Sequence, residues 1–230
     1  MNLSGKKIAI TGAFGALGAA VTSAARSAGA SVACIDFAPA AKAPPGCSDC
    51  VVLGGVDLAS PAAASTAFAD AAKRLGGLDG IVNIAGGFRW ETVAEGDIAT
   101  WDLMFNVNVR TAVNAVRAGL PLLKSPGARI VNIGAAGALK AAAGMGSYAA
   151  SKAGVAKLTE ALADELKDSG VTVNAVLPSI IDTPVNRADM PTADFERWVK
   201  PEQVADLIVF LLSERAAAIT GALIPITGRV

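Results

Sequence analysis

Short apolar runs alternate along the chain with longer segments of helical periodicity. Seven runs have the composition of strands: KKIAIT, SVACID, CVVLGGV, GIVNIA, ARIVNIG, VTVNAVLP and ALIPIT. Most of them are apolar on both faces, as strands are when helices cover both sides of a sheet. The alternation of strands with helices favours parallel pairing through helical crossovers. The sequence therefore predicts an α/β fold with a doubly wound, seven-stranded parallel sheet and helices on both faces.

The predicted helices lie near residues 16–28, 61–75, 98–123, 147–168 and 201–213. Pro61 and Pro201 fall at first-turn positions, and Ser60 precedes the earlier helix as a candidate N-cap. The stretch APAAKAPPG after the second strand is too rich in proline for a helix, so we expect an irregular crossover loop there. No linker or repeat divides the chain, and residues 1–230 are predicted to form one domain.

Composition excludes several classes of function. The chain has 20 basic and 20 acidic side chains without a run of like charge, which gives no support to a nucleic-acid or membrane-surface role. Histidine is absent, which excludes imidazole bases, Ser-His-Asp triads and the usual histidine-containing zinc sites. No apolar run reaches the roughly 18 residues that span a bilayer. Glycines interrupt the N-terminal segment that resembles a secretion signal, so we expect a cytoplasmic protein.

Three cysteines are present: Cys34 in an apolar run, and Cys47 with Cys50 in the sequence GCSDC. A single CxxC pair without a second pair or a histidine is a weak indication of zinc. This pair also follows a proline-rich loop instead of opening a redox helix. We therefore predict no metal site and interpret the three residues as ordinary reduced thiols.

A glycine-rich turn, ITGAFGALG, follows the first predicted strand and opens the first helix. Gly12, Gly15 and Gly18 let the backbone approach a pyrophosphate closely, while the helix N-terminus presents unpaired N–H groups to its negative charge. The order of strand, turn and helix at the start of the chain indicates a Rossmann fold that binds a dinucleotide. The alternative is a tight turn without a ligand.

Asp36 ends the second predicted strand, 18 residues after Gly18. A carboxylate at this position accepts hydrogen bonds from the adenosine ribose hydroxyls and repels a 2′-phosphate. No arginine or lysine flanks Asp36, so the predicted cofactor is NAD, with NADH preferred over NADPH. The alternative is an aspartate that only caps a turn. Asp57 follows the third strand and is predicted to lie at the adenine edge.

Further motifs occur over essentially the whole chain: NIAG at 83–86, Asn108 within FNVNV, YAASK at 148–152 and LPSIIDTP. Together with the glycine turn and Asp57, they resemble the short-chain dehydrogenase/reductase family of Rossmann-fold oxidoreductases. The resemblance implies that Tyr148 donates a proton to the substrate while hydride leaves the nicotinamide. It also implies that Lys152 lowers the pKa of the tyrosine and holds the nicotinamide ribose, and that Asn108 anchors a water in the proton relay.

Elementary chemistry supports a paired role for Tyr148 and Lys152. Residues i and i+4 share one face of a helix, so the two side chains converge on one ligand. A phenol with a pKa of about 10 is a poor acid-base catalyst at neutral pH, and a nearby cation favours its phenolate. The pair begins a predicted helix after the fifth strand, at the carboxyl edge of the sheet where α/β proteins bind ligands.

A larger set of contact residues is predicted from the resemblance and from composition. For the cofactor they are Gly12, Phe14, Gly15, Ala16, Leu17, Gly18, Asp36, Asp57, Leu58, Asn83, Ala85, Gly86, Tyr148, Lys152, Pro178, Ile181 and Thr183. The segment 183–200 is predicted to be a substrate-covering lid, with a surface loop and short helix as the alternative. Candidate substrate residues are Ala135, Met145, Trp90, Met190 and Trp198. The alternative for the four large side chains is an oligomer interface.

The family pattern places a serine thirteen residues before the tyrosine, where this chain has Ala135. The hydroxyl that polarises a carbonyl is therefore missing, and loss of an oxyanion donor slows hydrolases by roughly a hundredfold to a thousandfold.

The segments AGGF, GMGSYAASKAGV and AVLPSIIDTPVNRADMPTADFERW are similar to the dihydropteridine reductase branch of the family, which also has alanine at this position. That resemblance implies a quinonoid dihydropterin, whose conjugated ring accepts hydride without a localised alkoxide. Ile84 and Ser179 depart from the family pattern at positions that do not carry the chemistry.

Three functional hypotheses follow. The first is an NADH-dependent oxidoreductase for a conjugated carbonyl, imine or quinonoid ring, with Tyr148 as the acid. The second is an enzyme of the same class for ordinary alcohols and ketones, with a water beside Ala135. The third is a non-catalytic dinucleotide-binding protein, which the joint presence of Tyr148, Lys152 and Asn108 disfavours.

The helices that carry Asn108 and Tyr148 are apolar on more than one face, so a homodimer or homotetramer is predicted.

Overall fold

The computed structural model describes residues 1–230 and contains one seven-stranded sheet. All neighbouring strands are parallel, in the order β3-β2-β1-β4-β5-β6-β7. The strands are β1 Lys7–Thr11, β2 Ser31–Ile35, β3 Val51–Leu53, β4 Gly80–Asn83, β5 Arg129–Ile133, β6 Thr172–Pro178 and β7 Leu223–Ile226. Each one lies within a predicted run, and the predicted doubly wound fold is confirmed.

Seven α-helices connect and cover the strands. They are α1 Ala16–Ser27, α2 Pro61–Leu75, α3 Ile98–Met104, α4 Thr111–Gly119, α5 Gly146–Leu166, α6 Pro184–Asp189 and α7 Pro201–Leu212. The predicted helix at 98–123 is not one regular α-helix. A π-helical stretch, Phe105–Arg110, separates α3 from α4, and a 3₁₀ turn, Leu120–Leu122, ends the run. The Thr111 hydroxyl donates to the Val107 carbonyl at 2.7 Å, a side-chain bond that competes with regular helix bonding at this junction.

Helices cover both faces of the sheet, and the strand residues alternate between them. Ile8 and Ile10 of β1 join the core cluster formed with α1 and α7, whereas Ala9 between them joins the cluster beneath α2. This alternation follows from the two-residue period of a strand. Ser60 caps α2 by accepting a hydrogen bond from the Ala63 N–H, as predicted.

The crossover between β2 and β3 has no α-helix. It contains two 3₁₀ turns, Ala40–Lys42 and Pro45–Cys47, each preceded by a proline in extended conformation. This result confirms the predicted irregular loop, because proline lacks the N–H that a helix interior requires. None of the helices is both long enough and apolar enough to cross a membrane.

The strand order reverses at β1, which pairs with β2 on one side and β4 on the other. After β1 the chain forms β2 and β3 at one side of the sheet, whereas β4 to β7 extend toward the other edge. Loops at the carboxyl ends of β1 and β4 therefore separate and leave a crevice between them. In open α/β sheets, ligands bind at such a switch point.

Candidate active site

The glycine turn between β1 and α1 forms one wall of the crevice. Gly12 has a positive φ of 64°, and a Cβ atom on it would lie 2.7 Å from the Ala85 nitrogen. A Cβ on Gly18 would overlap the carbonyl oxygen of Gly12, so α1 packs against the turn only without a side chain there. Gly15 is the N-cap of α1 and supplies no capping side chain. The first-turn N–H groups therefore remain available to an anion, and the turn fits a pyrophosphate.

A cleft of about 940 Å³ opens along this turn. The predicted cofactor residues that line it are Gly12, Gly15, Ala16, Leu17, Gly18, Asp36, Asp57, Leu58, Ala85, Gly86 and Thr183. The sequence analysis did not include the other lining residues: Phe37, Val56, Ala59, Ile84, Asn106, Val107, Thr111, Pro184 and Val185. The structure thus brings residues from the loops after β1, β2, β3 and β4, and from α1, the π-helical stretch, α4 and α6, to one cleft. A volume of this size is typical of a cofactor site.

Asp36 lies at the mouth of the cleft, directly after β2. Its two carboxylate oxygens accept hydrogen bonds from the backbone N–H groups of Phe14, at 2.9 Å, and Ala38, at 2.8 Å. Each oxygen keeps a second lone pair, so the carboxylate is held in place and can still accept hydrogen bonds from a ligand. Phe14 therefore positions Asp36 through its backbone and does not itself line the cleft.

Five other predicted cofactor residues do not line the cleft: Tyr148 and Lys152, which are described below, and three residues with structural positions. Asn83, at the end of β4, donates to the Asn132 side chain on β5 at 2.9 Å. Pro178 is the buried last residue of β6. Ile181 is half-buried and forms an isolated bridge with Val199.

Tyr148 and Lys152 lie in the first two turns of α5, as their spacing predicts. The Lys152 ammonium is buried, donates to the Ile133 carbonyl at 2.9 Å, and lies 6.0 Å from the centroid of the Tyr148 ring. Burial lowers the pKa of Lys152 to about 8. Burial also raises the pKa of Tyr148 to about 12, so the expected lowering of the tyrosine pKa by Lys152 is not found in this arrangement. Burial disfavours the charged phenolate, and the Lys152 ammonium donates its hydrogen bond to the Ile133 carbonyl and not to the phenol.

Asn108 sits in the middle of the π-helical stretch and is buried. Its side-chain oxygen accepts from the Gly87 N–H at 3.0 Å, and its side-chain nitrogen donates to the Gly87 carbonyl at 3.1 Å and to the Ser151 hydroxyl at 2.9 Å. Ser151 in turn donates to the Tyr148 carbonyl at 2.7 Å. Asn108 therefore joins the loop after β4 to the helix that carries Tyr148.

Ala135 follows β5 in an extended conformation and is 4% exposed. It precedes the 3₁₀ turn Ala136–Ala138 and presents only a methyl group. On α5, the hydroxyl of Ser147 is also buried and has no hydrogen-bond partner in the structure. No side-chain hydroxyl is therefore found at the position where the family pattern has serine.

An aromatic ring that the sequence analysis did not assign stands next to the catalytic candidate. Phe88 meets Tyr148 edge to face, with ring centroids 4.8 Å apart and planes at 84°, and it remains 45% exposed. Trp90 is 63% exposed, and its indole donates to the Ala143 carbonyl at 3.1 Å. Met145 is half-buried at the start of α5. The motif AGGF contains Phe88, but only the loop geometry shows that its ring reaches Tyr148.

The predicted lid consists of α6 and a 3₁₀ turn, Phe195–Arg197. Arg187 pairs with Asp182 through two hydrogen bonds, at 2.6 and 2.8 Å, and its guanidinium covers the Phe195 ring. Met190, at the C-cap of α6, is half-buried. Trp198 is buried and packs against the Phe195 ring, and it does not line the cleft.

Comparison with known proteins identifies the family. Residues 12–228 match the family model described as Enoyl-(Acyl carrier protein) reductase. A curated relative, 2-(S)-hydroxypropyl-CoM dehydrogenase 3 from Xanthobacter autotrophicus, is 32% identical over 98% of this chain and 96% of its own length. These two matches cover almost the whole chain.

Solved structures agree with these matches. A short chain dehydrogenase from Burkholderia cenocepacia in complex with NADP superposes with a TM-score of 0.92 and 33% identity, over 99% of this chain and 98% of that chain. A 3-ketoacyl-(acyl-carrier-protein) reductase from Brucella melitensis complexed with NADH superposes with a TM-score of 0.88 and 26% identity, over 99% of each chain. Both neighbours thus hold a nicotinamide dinucleotide. The chain belongs to the short-chain dehydrogenase/reductase family of oxidoreductases.

Proposed function

We propose that the protein is an NADH-dependent reductase of a conjugated C=O or C=N compound, such as a quinonoid dihydropterin-like ring, with Tyr148 as the general acid. The observation that carries this proposal is the buried methyl group of Ala135 where the family pattern has a serine hydroxyl. A site without that donor is suited to a substrate on which no localised oxyanion develops. In a conjugated ring, the incoming charge is delocalised over several atoms.

The preference for NADH rests on Asp36. Its carboxylate is fixed by two backbone N–H groups, and no lysine or arginine forms an ion pair with it. A 2′-phosphate at this point would face an unneutralised negative charge, whereas ribose hydroxyls would donate to it. The relatives bind either form, since one neighbour was solved with NADP and another with NADH.

The bound nicotinamide would supply hydride, and the chain's own residues would supply the proton and the geometry. The pKa of about 12 keeps Tyr148 protonated at neutral pH, and efficient proton donation would require the bound cofactor and substrate to bring this pKa closer to neutrality. Lys152 donates one hydrogen bond to Ile133 and has two further N–H donors for the cofactor ribose. Asn108 would fix the loop after β4 against α5, so that the proton donor stays at a constant distance from the bound ligands.

Aromatic and thioether side chains would provide the substrate surface. Phe88 and Trp90 are exposed on the loop after β4, and Met145 lies at the start of α5. A flat conjugated ring would stack on such side chains. We further propose that the segment 183–200 closes over the substrate, with Met190 approaching from above and Trp198 anchoring the segment's base. Thr183 already lines the cleft where this segment begins.

A screen of NADH oxidation tests the proposal. Quinonoid dihydropterin, simple quinones, cyclic imines, unconjugated ketones and a β-keto thioester would be compared at equal concentration. The proposal predicts turnover with at least one conjugated compound and weaker turnover with the unconjugated ketones. A clear preference for the ketones would contradict it, and NADH binding without turnover of any compound would favour a non-catalytic dinucleotide-binding protein.

A second candidate function is reduction of a ketone or keto thioester with a water in place of the missing hydroxyl. The curated names of the relatives favour it, because they include a 3-oxoacyl-carrier-protein reductase from Thermotoga maritima and a D-beta-hydroxybutyrate dehydrogenase from Rhizobium meliloti. The β-keto thioester in the same screen distinguishes this candidate from the first.

A homodimer or homotetramer is proposed on the basis of an exposed apolar groove. Leu103 and Phe105, which are 41% and 44% exposed, lie beside Val109 and Val113 along α3, the π-helical stretch and α4. Contiguous apolar side chains on a helical surface are typical of subunit contacts. Light scattering at micromolar protein concentration should give two or four chains per particle, and a strict monomer would contradict the proposal.

A further inference from the structure

The hydroxyl of Ser151 connects two parts of the candidate site. Ser151 lies on α5, about one turn after Tyr148, and is fully buried. It accepts a hydrogen bond from the Asn108 side chain at 2.9 Å and donates one to the Tyr148 carbonyl at 2.7 Å. A serine in a helix can satisfy its hydroxyl with a carbonyl of its own helix alone. The additional bond from Asn108 ties the first turns of α5 to another part of the chain.

That other part is the loop after β4, which borders the cofactor cleft. Asn108 accepts from the Gly87 N–H at 3.0 Å and donates to the Gly87 carbonyl at 3.1 Å. Its amide nitrogen has two hydrogens, enough for the Gly87 carbonyl and the Ser151 hydroxyl. The preceding residue, Gly86, lines the cleft, and a Cβ atom on it would lie 2.4 Å from the Asn108 side-chain oxygen. Buried hydrogen bonds therefore connect the wall of the cleft to α5.

We propose that Ser151 is a positioning residue for proton transfer by Tyr148. Its hydroxyl joins the peptide carbonyl of Tyr148 to Asn108, and Asn108 is fixed to the loop that borders the cleft. The phenol is thereby held in one place relative to a bound cofactor. Ser151 does not line the cleft, so it acts only through its two partners. The inference rests on the proposed function, in which Tyr148 is the acid.

Loss of the Ser151 hydroxyl should displace the phenol. Proton transfer requires donor and acceptor within hydrogen-bond reach, and a misplacement of about 1 Å can slow a reaction by roughly a hundredfold. Ser151→Ala removes both hydrogen bonds and leaves one Asn108 N–H without its buried acceptor. The Asn108 amide and the first turns of α5 can then shift relative to each other.

The same helix provides a matched control. Thr159, eight residues after Ser151, is also fully buried. Its hydroxyl accepts from the Asn132 side chain at 2.9 Å and donates to the Val155 carbonyl at 2.9 Å. This link is of the same kind, but it joins α5 to β5 at a point further from Tyr148. Thr159→Val removes the hydroxyl and keeps the shape of the side chain, so it should lower stability without moving the phenol.

Steady-state kinetics of full-length variants tests the proposal. On the best substrate of the screen, Ser151→Ala should lower kcat by about tenfold and leave the KM for NADH within about twofold of the unmodified protein. Thr159→Val should leave both values within about twofold. Circular dichroism shows whether each variant is folded. If Ser151→Ala does not fold, Ser151→Cys, with a weaker donor and acceptor, should lower kcat in the same way by a smaller factor.

A spectroscopic measurement needs no substrate. Tyr148 is the only tyrosine of the chain, so incorporation of 3-fluorotyrosine gives one fluorine NMR signal, which reports on the phenol ring. Ser151→Ala should shift or broaden this signal, because the phenol is no longer held in one place. Thr159→Val should leave the signal where it is in the unmodified protein.

The outcomes separate a positioning role from a structural one. An unchanged kcat or an unchanged fluorine signal in Ser151→Ala would overturn the proposal. Equal losses of kcat in Ser151→Ala and Thr159→Val would also overturn it, because they would show a purely structural role. Failure of the proposed function is recognised separately, by full turnover of Tyr148→Phe or by the absence of turnover with every compound. In that case the fluorine signal alone decides whether Ser151 positions the phenol.

Discussion

The candidate site has two ends, the cofactor cleft at the glycine turn and the region of Tyr148 beside it, and they are built in different ways. At the turn end, formed by Gly12, Gly18 and Asp36, close backbone contacts and backbone hydrogen bonds fix the shape. The tyrosine end, formed by Phe88, Ala135 and Tyr148, lies outside the lining of the cleft, and its shape depends on side chains, one of which is half exposed. We therefore expect that binding of a dinucleotide depends on the backbone, whereas the choice of substrate depends on a few replaceable side chains.

Replacement of Tyr148 by phenylalanine should have the largest effect. Loss of the phenol removes the proposed proton donor and should lower turnover by roughly a hundredfold or more on the best substrate of the screen. NADH affinity should stay within about threefold of the unmodified protein, because the turn end is untouched. Steady-state kinetics and a fluorescence titration measure the two quantities. An unchanged turnover would refute Tyr148 as the acid.

Discrimination between the two cofactors should be the next largest effect. The protein should bind NADH about tenfold or more tightly than NADPH, which corresponds to about 1.4 kcal/mol. Asp36→Ala should narrow that difference by removing the charge that repels a 2′-phosphate. Asp70→Ala, an exposed change on α2, serves as the control and should leave the ratio as it was. Equal affinities in the unmodified protein would show that Asp36 does not select the cofactor.

Lys152 lies beside Tyr148 on α5, and its burial should be detectable in the pH dependence of stability. Its pKa is about 8 in the folded protein, against an ordinary value of 10.5, so the unfolded chain binds more protons between these values. Stability should therefore rise with pH in this window, by about 1 kcal/mol from about pH 7.5 to about pH 9. Tyr148 contributes nothing to that rise, because its raised pKa acts only above its ordinary value of 10.0.

Urea denaturation at the two pH values measures this contribution. Lys152→Met should abolish the part of the increase in stability that comes from Lys152, since methionine keeps an extended side chain without a titrating group. Lys157→Met, on an exposed part of the same helix, provides the control and should retain the rise. Identical pH profiles for Lys152→Met and the unmodified protein would mean that Lys152 is not desolvated.

The smallest effect is expected at Ala135. With a conjugated substrate, Ala135→Ser should leave turnover level or lower it by a few fold, because the hydroxyl has no localised charge to stabilise and occupies a buried position. With an unconjugated ketone as the true substrate, the same change should raise turnover by about an order of magnitude or more. Kinetics on both classes of compound separate the alternatives, and a large gain on the ketone would favour the second candidate function.

The sequence predicted the turn end better than the tyrosine end. The strand pattern and the spacing of Gly12, Gly18 and Asp36 follow from backbone geometry, which short motifs record directly. Phe88 was not assigned, because its contact with Tyr148 joins the loop after β4 to α5, a distance in sequence that no motif spans. Trp198 was expected at the substrate, but composition alone does not show which aromatic side chains of a segment turn inward.

The pKa of Tyr148 is a second property that the sequence did not predict correctly. Helical spacing correctly predicted that Tyr148 and Lys152 share a face, but it does not report the direction of an ammonium group. The Ile133 carbonyl takes the lysine hydrogen bond, so that burial determines the direction of both shifts. The π-helical stretch also escaped prediction, since its residues have ordinary helical composition.

The π-helical stretch borders two surfaces, the cofactor cleft and the outer groove. In a π-helix each hydrogen bond spans five residues instead of four. Phe105 and Arg110 therefore lie on the same side of the helix, and both line the outer groove. Asn106 borders that groove and also lines the cofactor cleft. The side of the cleft and the side of the outer groove thus share a residue. Mutational change on either side is constrained by the other, and the two surfaces are expected to evolve as one unit.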